Sequence, residues 1–213
     1  EALGVNFYDV RAGIASLKGE GITRAILFPG AGVGGHCLPK DTYHLERGVK
    51  ELGKELDYPE GTGSLFILAR GINDFMPGHM FRLTLEGLRR AGKEVKAARI
   101  ALLGWAFLQN SDDTRNTPSG PFRDLLLEAG AGVSVHDPFV DTCPGVTISG
   151  DLREVVSGAD AVVILTAHRP YRALAPAELR AWTGRDRPVI IAGRNMVDPD
   201  AYIAAGFVYK GIG

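Results

Sequence analysis

The first ninety residues place apolar side chains mainly at helical spacing. The longest such series predicts a helix from about Leu65 to Ala91, kinked near Pro77 because proline removes one hydrogen bond of the helical ladder. Its apolar positions are Leu65, Leu68, Ile72, Phe75, Met76, Met80, Leu83 and Leu88. An earlier helix is predicted from about Asp41 to Leu56, with Pro39 in its first turn. This part of the chain is therefore predicted to be mainly helical.

From Lys93 onward, short β-branched and apolar runs alternate with helical patterns. The predicted strands are 99–104, 132–137, 146–148, 161–166, 189–193 and 207–209. The predicted helices between them are 118–129, 151–157, 176–182 and 199–205. This alternation favours right-handed crossovers and a mostly parallel sheet flanked by helices. The sequence therefore predicts an α/β fold, with a central helical domain at 1–92 that contains a long helix and a Rossmann-like domain at 93–213.

The composition is ordinary for a globular protein, with 45% hydrophobic and 23% charged residues. A net charge of −1 excludes the basic surface that nucleic-acid binding requires. No apolar run approaches the roughly 20 residues that span a bilayer, and the sequence predicts no signal peptide. Two cysteines form no disulfide framework, which indicates reduced thiols and a cytoplasmic location. The start at Glu1 rather than Met indicates a fragment or a processed product.

Residues 28–41, FPGAGVGGHCLPKD, contain the pattern G-x-G-x-x-G directly before Cys37. A dinucleotide fingerprint would need a helix opening at the last glycine and an acidic residue ending a second strand about 20 positions later. Pro39 keeps residues 36–38 out of regular helix, and the later positions lie in a helical pattern, so this interpretation fails. Glycines also allow a bulky ligand to approach the backbone closely, which would bring it to the thiol. The alternative is a tight turn with an incidental buried cysteine.

Several motifs in register resemble the UDP-glucose/GDP-mannose dehydrogenase family, and most of all its branch that acts on UDP-N-acetylhexosamines such as UDP-N-acetylmannosamine. The motifs are PGAGVGGHCLPKD at 29–41, RGINDFMP at 70–77, LGWAFLQNSDDTRNTPS at 103–119, VHDP at 135–138, VILTAH at 163–168, and GRN at 193–195 with the tail GFVYKGIG at 206–213. The resemblance covers only the second half of the family. The N-terminal NAD-binding domain is therefore expected to be missing from this chain.

The resemblance implies oxidation of the C6 alcohol of a nucleotide sugar to a carboxylate with two NAD+, as in the synthesis of polysaccharide precursors. Cys37 matches the nucleophile that forms a thiohemiacetal and then a thioester, and Asp41 matches the carboxylate that handles water and proton. Lys40 and Arg115 match cofactor-binding positions. The implied substrate-binding residues are Phe28, Gly30, Gly32, Gly34, Phe107 and Arg194. No metal is implied. The resemblance also implies a homodimer formed through the long helix.

Each of these residues also has a simpler interpretation. Asp41 is equally suited to the first turn of a helix, where the dipole favours an acid, and Lys40 to a solvated surface. Arg194 could form a surface salt bridge. His36 next to Cys37 suggests a Cys–His hydrolase, but sequence neighbours point their side chains apart.

Other polar residues near the matched positions have structural or alternative interpretations. Asp112 and Asp113 are better explained as acceptors that fix their loop, one of which could orient Arg115, than as a catalytic pair. His168 and Tyr171 fit either a uridine pocket or local packing, and Cys143 is a loop residue. Thr117 is a good N-cap and Pro118 a good first helical residue, so the N-terminus of that helix should favour an anion.

The sequence departs from the family at Leu108, where a lysine that contacts the substrate phosphates is usual. The catalytic lysine and asparagine of the family precede the region that this chain covers, so no turnover is expected from these residues alone. Two alternatives therefore stay open beside the dehydrogenase fragment. One is a module that binds UDP or a UDP-sugar without chemistry, and the other is a purely structural dimerising domain. The sequence does not identify the sugar.

Overall fold

The computed structural model describes residues 6–15, 29–51 and 64–212. Its six strands form one sheet in the order β3-β2-β1-β4-β5-β6, and every neighbouring pair is parallel. The strands are β1 (Arg99–Leu103), β2 (Gly132–His136), β3 (Ile148–Ser149), β4 (Ala161–Ile164), β5 (Val189–Ala192) and β6 (Val208–Gly211). The predicted α/β class with a Rossmann-like parallel sheet is confirmed.

The central strands owe their place to continuous apolar sequence. All residues of β4 and β5 are buried, as are four of the five in β1. Continuous burial is typical of parallel strands that are covered on both faces. The described helices are α1 (Phe7–Ala15), α2 (Leu38–Glu51), α3 (Leu65–Arg90), α4 (Ser119–Glu128), α5 (Leu152–Val156), α6 (Arg169–Arg172), α7 (Pro176–Thr183) and α8 (Pro199–Ala204). None of these helices has the length and apolar character needed to cross a membrane.

The long helix α3 extends beyond the sheet. Its second half packs on the sheet through the fully buried Met80 and Leu88, and Gly87 lies where a Cβ would be 2.6 Å from Val189 Cγ1. Its first half exposes the apolar side chains of Leu65, Ile67, Leu68, Ile72 and Phe75. The helix is continuous through Pro77. The division into two domains after residue 92 stays a prediction.

Several predicted boundaries are corrected. Helix α2 begins at Leu38, three residues before the predicted start, because proline is tolerated in a first turn where its missing N–H would have no partner. Only His36 and Cys37 therefore stay outside the helix. Strand β3 starts at Ile148 instead of residue 146. The short helix α6 was missed because four residues carry no periodic pattern. Phe28, which the resemblance implies as a substrate-binding residue, lies outside the described residues.

The strand order reverses between β1 and β4, which are adjacent in the sheet although β2 and β3 separate them in sequence. Ligands of open parallel sheets bind beyond the carboxyl ends of the strands at such a reversal. The carboxyl ends here lead into Gly104, Leu165 and Gly193. The fold therefore predicts where a ligand site lies before any side chain is considered.

Candidate functional site

The glycine-rich loop, which we define as residues 29–37, lies at this carboxyl edge of the sheet. The Ala31 N–H donates to the carbonyl of Gly193 at 3.2 Å, and the Gly193 N–H donates to the carbonyl of Ile164 at 2.8 Å. The Gly35 N–H donates to the carbonyl of Arg115 at 2.7 Å. These contacts join the loop to the ends of β4 and β5 and to the loop that follows β1. Residues that are far apart in the sequence thus meet at one edge.

Arg194, one of the predicted substrate residues, lies half-buried at this edge. Its Nη2 donates to the carbonyl of Gly32 at 3.0 Å and its Nε to the carbonyl of Leu165 at 3.4 Å. Burial lowers its pKa, and the nearby Tyr8 hydroxyl opposes that shift. No carboxylate in the described part of the chain pairs with Arg194. A guanidinium whose partners are carbonyl oxygens retains charge for an anionic ligand, which disfavours the salt-bridge interpretation.

The glycines of the loop make room for side chains of the protein itself. A Cβ at Gly30 would overlap the Arg194 guanidinium, and one at Gly34 would lie 2.6 Å from Phe107 Cβ. Gly32 adopts φ +120°, a conformation that residues with a Cβ rarely adopt. The sequence predicts that a bulky ligand occupies the space beside these glycines. The structure instead shows Arg194 and Phe107 packed against the loop at this place. Both residues are predicted to touch substrate, and they lie in separate parts of the sequence.

Cys37 directly precedes α2 and is exposed. Its carbonyl accepts the N–H of Asp41 at 2.8 Å, which fixes its backbone to the helix. Asp41 lies in the first turn of α2, and its Oδ1 is 3.9 Å from Lys40 Nζ. Both side chains are about half exposed, so the structure keeps the two interpretations of each open. The thiol is open to solvent, contrary to the alternative of an incidental buried cysteine.

Arg115 is held by Asp113, one of the two aspartates that precede it in its loop. Its Nε lies 2.9 Å from Asp113 Oδ1 and its Nη2 lies 2.6 Å from Asp113 Oδ2. The hydrogen bond to Asp113 raises the pKa of Arg115. The prediction that an aspartate orients Arg115 is confirmed, and Asp113 is the residue. Arg115 itself stays largely exposed.

The first turn of α4 differs from the anion site that the sequence predicts. Thr117 Oγ1 accepts the Ser119 N–H at 3.2 Å, but the helix begins at Ser119 and its N-cap is Pro118, one residue later than predicted. The Gly120 N–H donates to the carbonyl of Thr117 at 3.3 Å. Pro118 and Pro121 have no N–H. The first turn therefore presents no free backbone donor, and charge balance for a diphosphate depends on side chains. Leu108, half exposed in the preceding loop, contributes none.

A buried polar network supports the loop after β1, and its central residue is Asp137, for which the sequence predicts no role. Asp137 Oδ2 accepts the N–H groups of Trp105 (2.7 Å) and Ala106 (2.9 Å) and contacts His168 Nε2 at 3.0 Å. His168 Nδ1 accepts the Asn110 N–H at 2.8 Å. His168 and Tyr171 are fully buried, which favours local packing over a uridine pocket. The sequence feature that could have identified Asp137 is its position directly after strand β2.

Two asparagines were also missed. Asn73 on α3 and Asn116 before α4 both hydrogen-bond to the backbone of the glycine-rich loop. With that loop they line a cleft of about 340 Å³. Its remaining lining residues are Pro39, Arg70, Asp74, Pro77, Thr117, Pro118 and Pro121. Neither asparagine occupies a position that periodicity singles out. Cys143, half-buried, accepts the Trp105 Nε1–H at 3.2 Å, as fits a loop residue.

The described residues bring no three metal-binding side chains together. The site is thus built from the exposed thiol of Cys37, the half-buried guanidinium of Arg194, which pairs with no carboxylate among the described residues, and the exposed guanidinium of Arg115, which Asp113 holds. Such a set can hold an anionic ligand through the arginines and attack an electrophilic carbon through the sulfur.

Comparison with known proteins matches two parts of the chain to one family. The UDP-binding domain of the UDP-glucose/GDP-mannose dehydrogenase family matches residues 101–199, and the central domain of that family matches residues 1–64. The first match contains most of the sheet and the second contains the glycine-rich loop.

Among curated relatives, UDP-N-acetyl-D-mannosamine dehydrogenase of Pyrococcus horikoshii is 36% identical over 185 residues, which are 87% of this chain and 40% of that protein. UDP-glucose 6-dehydrogenase of Pseudomonas aeruginosa is 28% identical over 99% of this chain and 46% of its own length. The chain thus spans less than half the length of these relatives.

Two solved structures cover almost the whole chain. The NDP-N-acetyl-D-galactosaminuronic acid dehydrogenase from Methanosarcina mazei Go1 is 60% identical with a TM-score of 0.95, over 100% of this chain and 45% of that one. The UDP-D-ManNAc dehydrogenase from Pyrococcus horikoshii is 31% identical with a TM-score of 0.77, over 99% of this chain and 45% of that one.

Proposed function

Because the chain belongs to the UDP-glucose/GDP-mannose dehydrogenase family, we propose that it supplies the nucleophile and the nucleotide-binding part of an NAD-dependent UDP-sugar 6-dehydrogenase. The observation that carries this proposal is the position of Cys37. An exposed thiol ends a loop that packs on Arg194 and Phe107 at the ligand edge of the sheet. A sugar whose phosphates contact Arg194 could therefore present its far carbon to the sulfur.

The proposed chemistry of Cys37 begins once the C6 alcohol has been oxidised to an aldehyde. The thiolate adds to the aldehyde carbon, a C–S bond forms, and the carbonyl oxygen takes a proton to give a thiohemiacetal. Loss of a hydride from that carbon, together with loss of the hydroxyl proton, gives a thioester. Water then attacks the thioester, the C–S bond breaks, and the products are a carboxylate and the free thiol. Asp41, one turn into α2, is the proposed acceptor of the proton from this water.

NAD+, when bound, supplies the acceptor for the hydride in each of the two oxidations. Lys40 and Arg115 would hold it. Lys40 is a half-exposed cation three residues after Cys37, and Arg115 is a largely exposed cation whose carbonyl accepts the Gly35 N–H of the glycine-rich loop. The planar fork of Arg115 suits a pyrophosphate, and Asp113 limits its motion. The turn after β1 lacks the glycine fingerprint of a dinucleotide site, which favours a mononucleotide end of the substrate in the sheet domain.

The substrate class that we propose is a UDP-N-acetylhexosamine. It rests on the resemblance to that branch and on the names of two relatives. These are the UDP-N-acetyl-D-mannosamine dehydrogenase of Pyrococcus horikoshii and the NDP-N-acetyl-D-galactosaminuronic acid dehydrogenase of Methanosarcina mazei Go1. Gly30, Gly32 and Gly34 would contribute by letting Arg194 and Phe107 pack close to the loop backbone. Phe28 stays a sequence prediction.

Thiol alkylation tests this proposal on the chain itself. We expect iodoacetamide to label Cys37 and UDP-N-acetylmannosamine to slow that labelling at least tenfold, while the rate at the half-buried Cys143 stays constant. Peptide mass spectrometry reads both sites in one sample. Arg194→Met should abolish the protection, whereas Arg90→Met, at the far end of α3, should preserve it. Labelling of Cys37 at equal rates with and without the nucleotide sugar would contradict the proposal.

A second function, a module that binds UDP without chemistry, is favoured by Leu108 at the position of the expected lysine. Calorimetric titration with UDP separates it from a purely structural role. Heat with UDP but no protection of Cys37 by the UDP-sugar supports the binding module. The absence of heat supports a structural domain.

We also propose that a second copy of the chain covers the first half of α3. Leu65, Leu68, Ile72 and Phe75 are exposed at spacings of three and four residues, so they share one face of the helix. A two-fold partner would bury the same face of both copies. Sedimentation analysis tests this. Ile72→Glu should shift the chain from dimer to monomer, and Glu128→Gln, on the exposed side of α4, should not.

A further inference from the structure

We propose that Asn73 and Asn116 are positioning residues for Cys37, an inference that rests on the function proposed above. The two side-chain amides hold the backbone of the glycine-rich loop on either side of Gly34. Asn73 Oδ1 accepts the Val33 N–H at 2.7 Å, and its Nδ2 donates to the Val33 carbonyl at 3.2 Å. Asn116 Nδ2 donates to the Gly35 carbonyl at 2.9 Å. Together with the bond from Gly35 N–H to Arg115, four hydrogen bonds satisfy the peptide groups of both residues.

These hydrogen bonds require asparagine in particular. Asn73 both accepts from and donates to one residue, Val33, which a carboxylate cannot do because it has no N–H. Asn116 has φ +49°, in the left-handed region that asparagine tolerates better than most residues with a side chain. In this conformation, the backbone carbonyl of the preceding residue, Arg115, and the side-chain amide of Asn116 both point to Gly35.

The spacing between this clamp and helix α2 transmits the position to the sulfur. Gly35 is fixed by Asn116 and Arg115, and the helix begins at Leu38. Only His36 and Cys37 lie between the two anchors, and the Cys37 carbonyl is already bound by the Asp41 N–H. The Cys37 side chain makes no hydrogen bond to the described residues. The backbone anchors are therefore what sets where its thiol lies.

The two asparagines come from different parts of the sequence, one from α3 and the other from the sheet domain. The clamp therefore fixes the thiol relative to both. A displacement of a reacting atom by about 1 Å can cost on the order of 100-fold in a reaction that depends on proximity. Loss of either amide should leave the thiol reactive toward small reagents and impair its reaction with a bound sugar.

The experiment uses the 213-residue chain and a UDP-linked hexose that carries an aldehyde at C6. Addition of the Cys37 thiol to this aldehyde forms a C–S bond, and the carbonyl oxygen becomes a hydroxyl, so no oxidant is needed. The adduct protects Cys37 from iodoacetamide. We expect Asn73→Asp and Asn116→Asp each to weaken this protection at least tenfold. The alkylation rate without the aldehyde and the affinity for UDP should both stay within about threefold of the wild type.

Asn110→Asp is the matched control. Asn110 lies with Asn116 in the loop between β1 and α4, and it also has a positive φ (56°). Its Oδ1 accepts the Arg169 N–H at 2.9 Å, a hydrogen bond that aspartate keeps. It should behave as the wild type. Asn116→Gly, which accepts the left-handed conformation but lacks the amide, should show the same loss as Asn116→Asp and covers the case in which the aspartate variant fails to fold.

The outcomes separate this inference from the proposed function. Protection in the wild type that persists undiminished in Asn73→Asp and Asn116→Gly overturns the positioning role and leaves the dehydrogenase assignment intact. An equal loss in Asn110→Asp overturns it as well, because the loss would then reflect general loosening of the loop. No protection in the wild type overturns the proposed function and this inference with it.

Discussion

The sheet region (residues 93–212) and the loop region (residues 29–51 and 64–92) differ in where their polar groups lie. In the sheet region, Asp137 and His168 are buried and fully hydrogen-bonded beneath the loop after β1. In the loop region, Cys37, Lys40 and Asp41 are exposed, and the backbone of the glycine-rich loop is held by the side chains of two asparagines, one from α3 and one from the sheet region. The buried and fully paired polar groups thus lie in the sheet region, and the reactive groups lie in the loop region.

The largest effect on stability is expected at the buried carboxylate. Asp137→Ala leaves the N–H groups of Trp105 and Ala106 and the His168 ring without their acceptor, so the free energy of unfolding should fall by about 3 kcal/mol or more. Urea denaturation of the chain measures it. Asp141→Ala, four residues later and exposed, should change the free energy of unfolding by less than about 0.5 kcal/mol. A loss below about 1 kcal/mol at Asp137 would contradict the comparison.

The next largest effect is expected within α3, because one end of this helix is buried against the sheet and the other end is exposed. Leu88 is fully buried against the sheet and Leu68 is 60% exposed. Leu88→Ala should lower the free energy of unfolding by about 3 kcal/mol, since it loses burial and leaves a cavity. The same substitution at Leu68 should change it by less than about 0.5 kcal/mol in dilute protein. Denaturation at two protein concentrations distinguishes a loss of monomer stability from a loss of self-association.

A smaller effect should appear on acidification. Burial lowers the pKa of His136 below its usual 6.5, and the charge of Asp137 only partly opposes this. A lowered pKa contributes stability that is complete above the unfolded value and is lost as pH falls toward the folded value. The free energy of unfolding should therefore begin to decline below about pH 6.5.

Chemical denaturation at steps from pH 8 to 5 follows this decline. In His136→Gln the slope between pH 6.5 and 5 should flatten. A wild-type curve without slope in that window would show that the folded protein accommodates the charged ring. Asp137 adds a separate loss at lower pH, because burial raises its pKa but the hydrogen bonds from His168 and Ala106 lower it further, below 3.8.

The smallest effect is expected where the two regions are joined at the surface. Lys210 on β6 lies 2.7 Å from Glu86 of α3, and the hydrogen bond from Lys210 is the main reason that the pKa of Glu86 is lowered. Lys210→Met should cost about 0.5 kcal/mol at low salt and less in 0.5 M NaCl, because exposed ion pairs are screened. A cost above about 2 kcal/mol would place part of the stability at this junction.

Local patterns were sufficient for most of the secondary structure. Every predicted helix and strand from residue 93 onward is present, with boundaries that shift by at most two residues. Pro39 led to a start for α2 that was too late, since a proline rule describes what a helix interior excludes and not what its first turn accepts. The candidate site was found through motifs in register, which identified Cys37, Arg115 and Arg194 before any contact was known.

The sequence by itself determined the order of elements and the chemistry available, because hydrophobic spacing and side-chain type are properties of neighbouring residues. Only the tertiary structure decided that Arg194 meets the carbonyl of Gly32, 162 positions earlier in the sequence, and that Asn73 and Asn116 hold the same loop. It also decided that the first turn of α4 has no free donor and that Phe107 fills the space beside Gly34. These are distances between remote segments, and packing alone sets them.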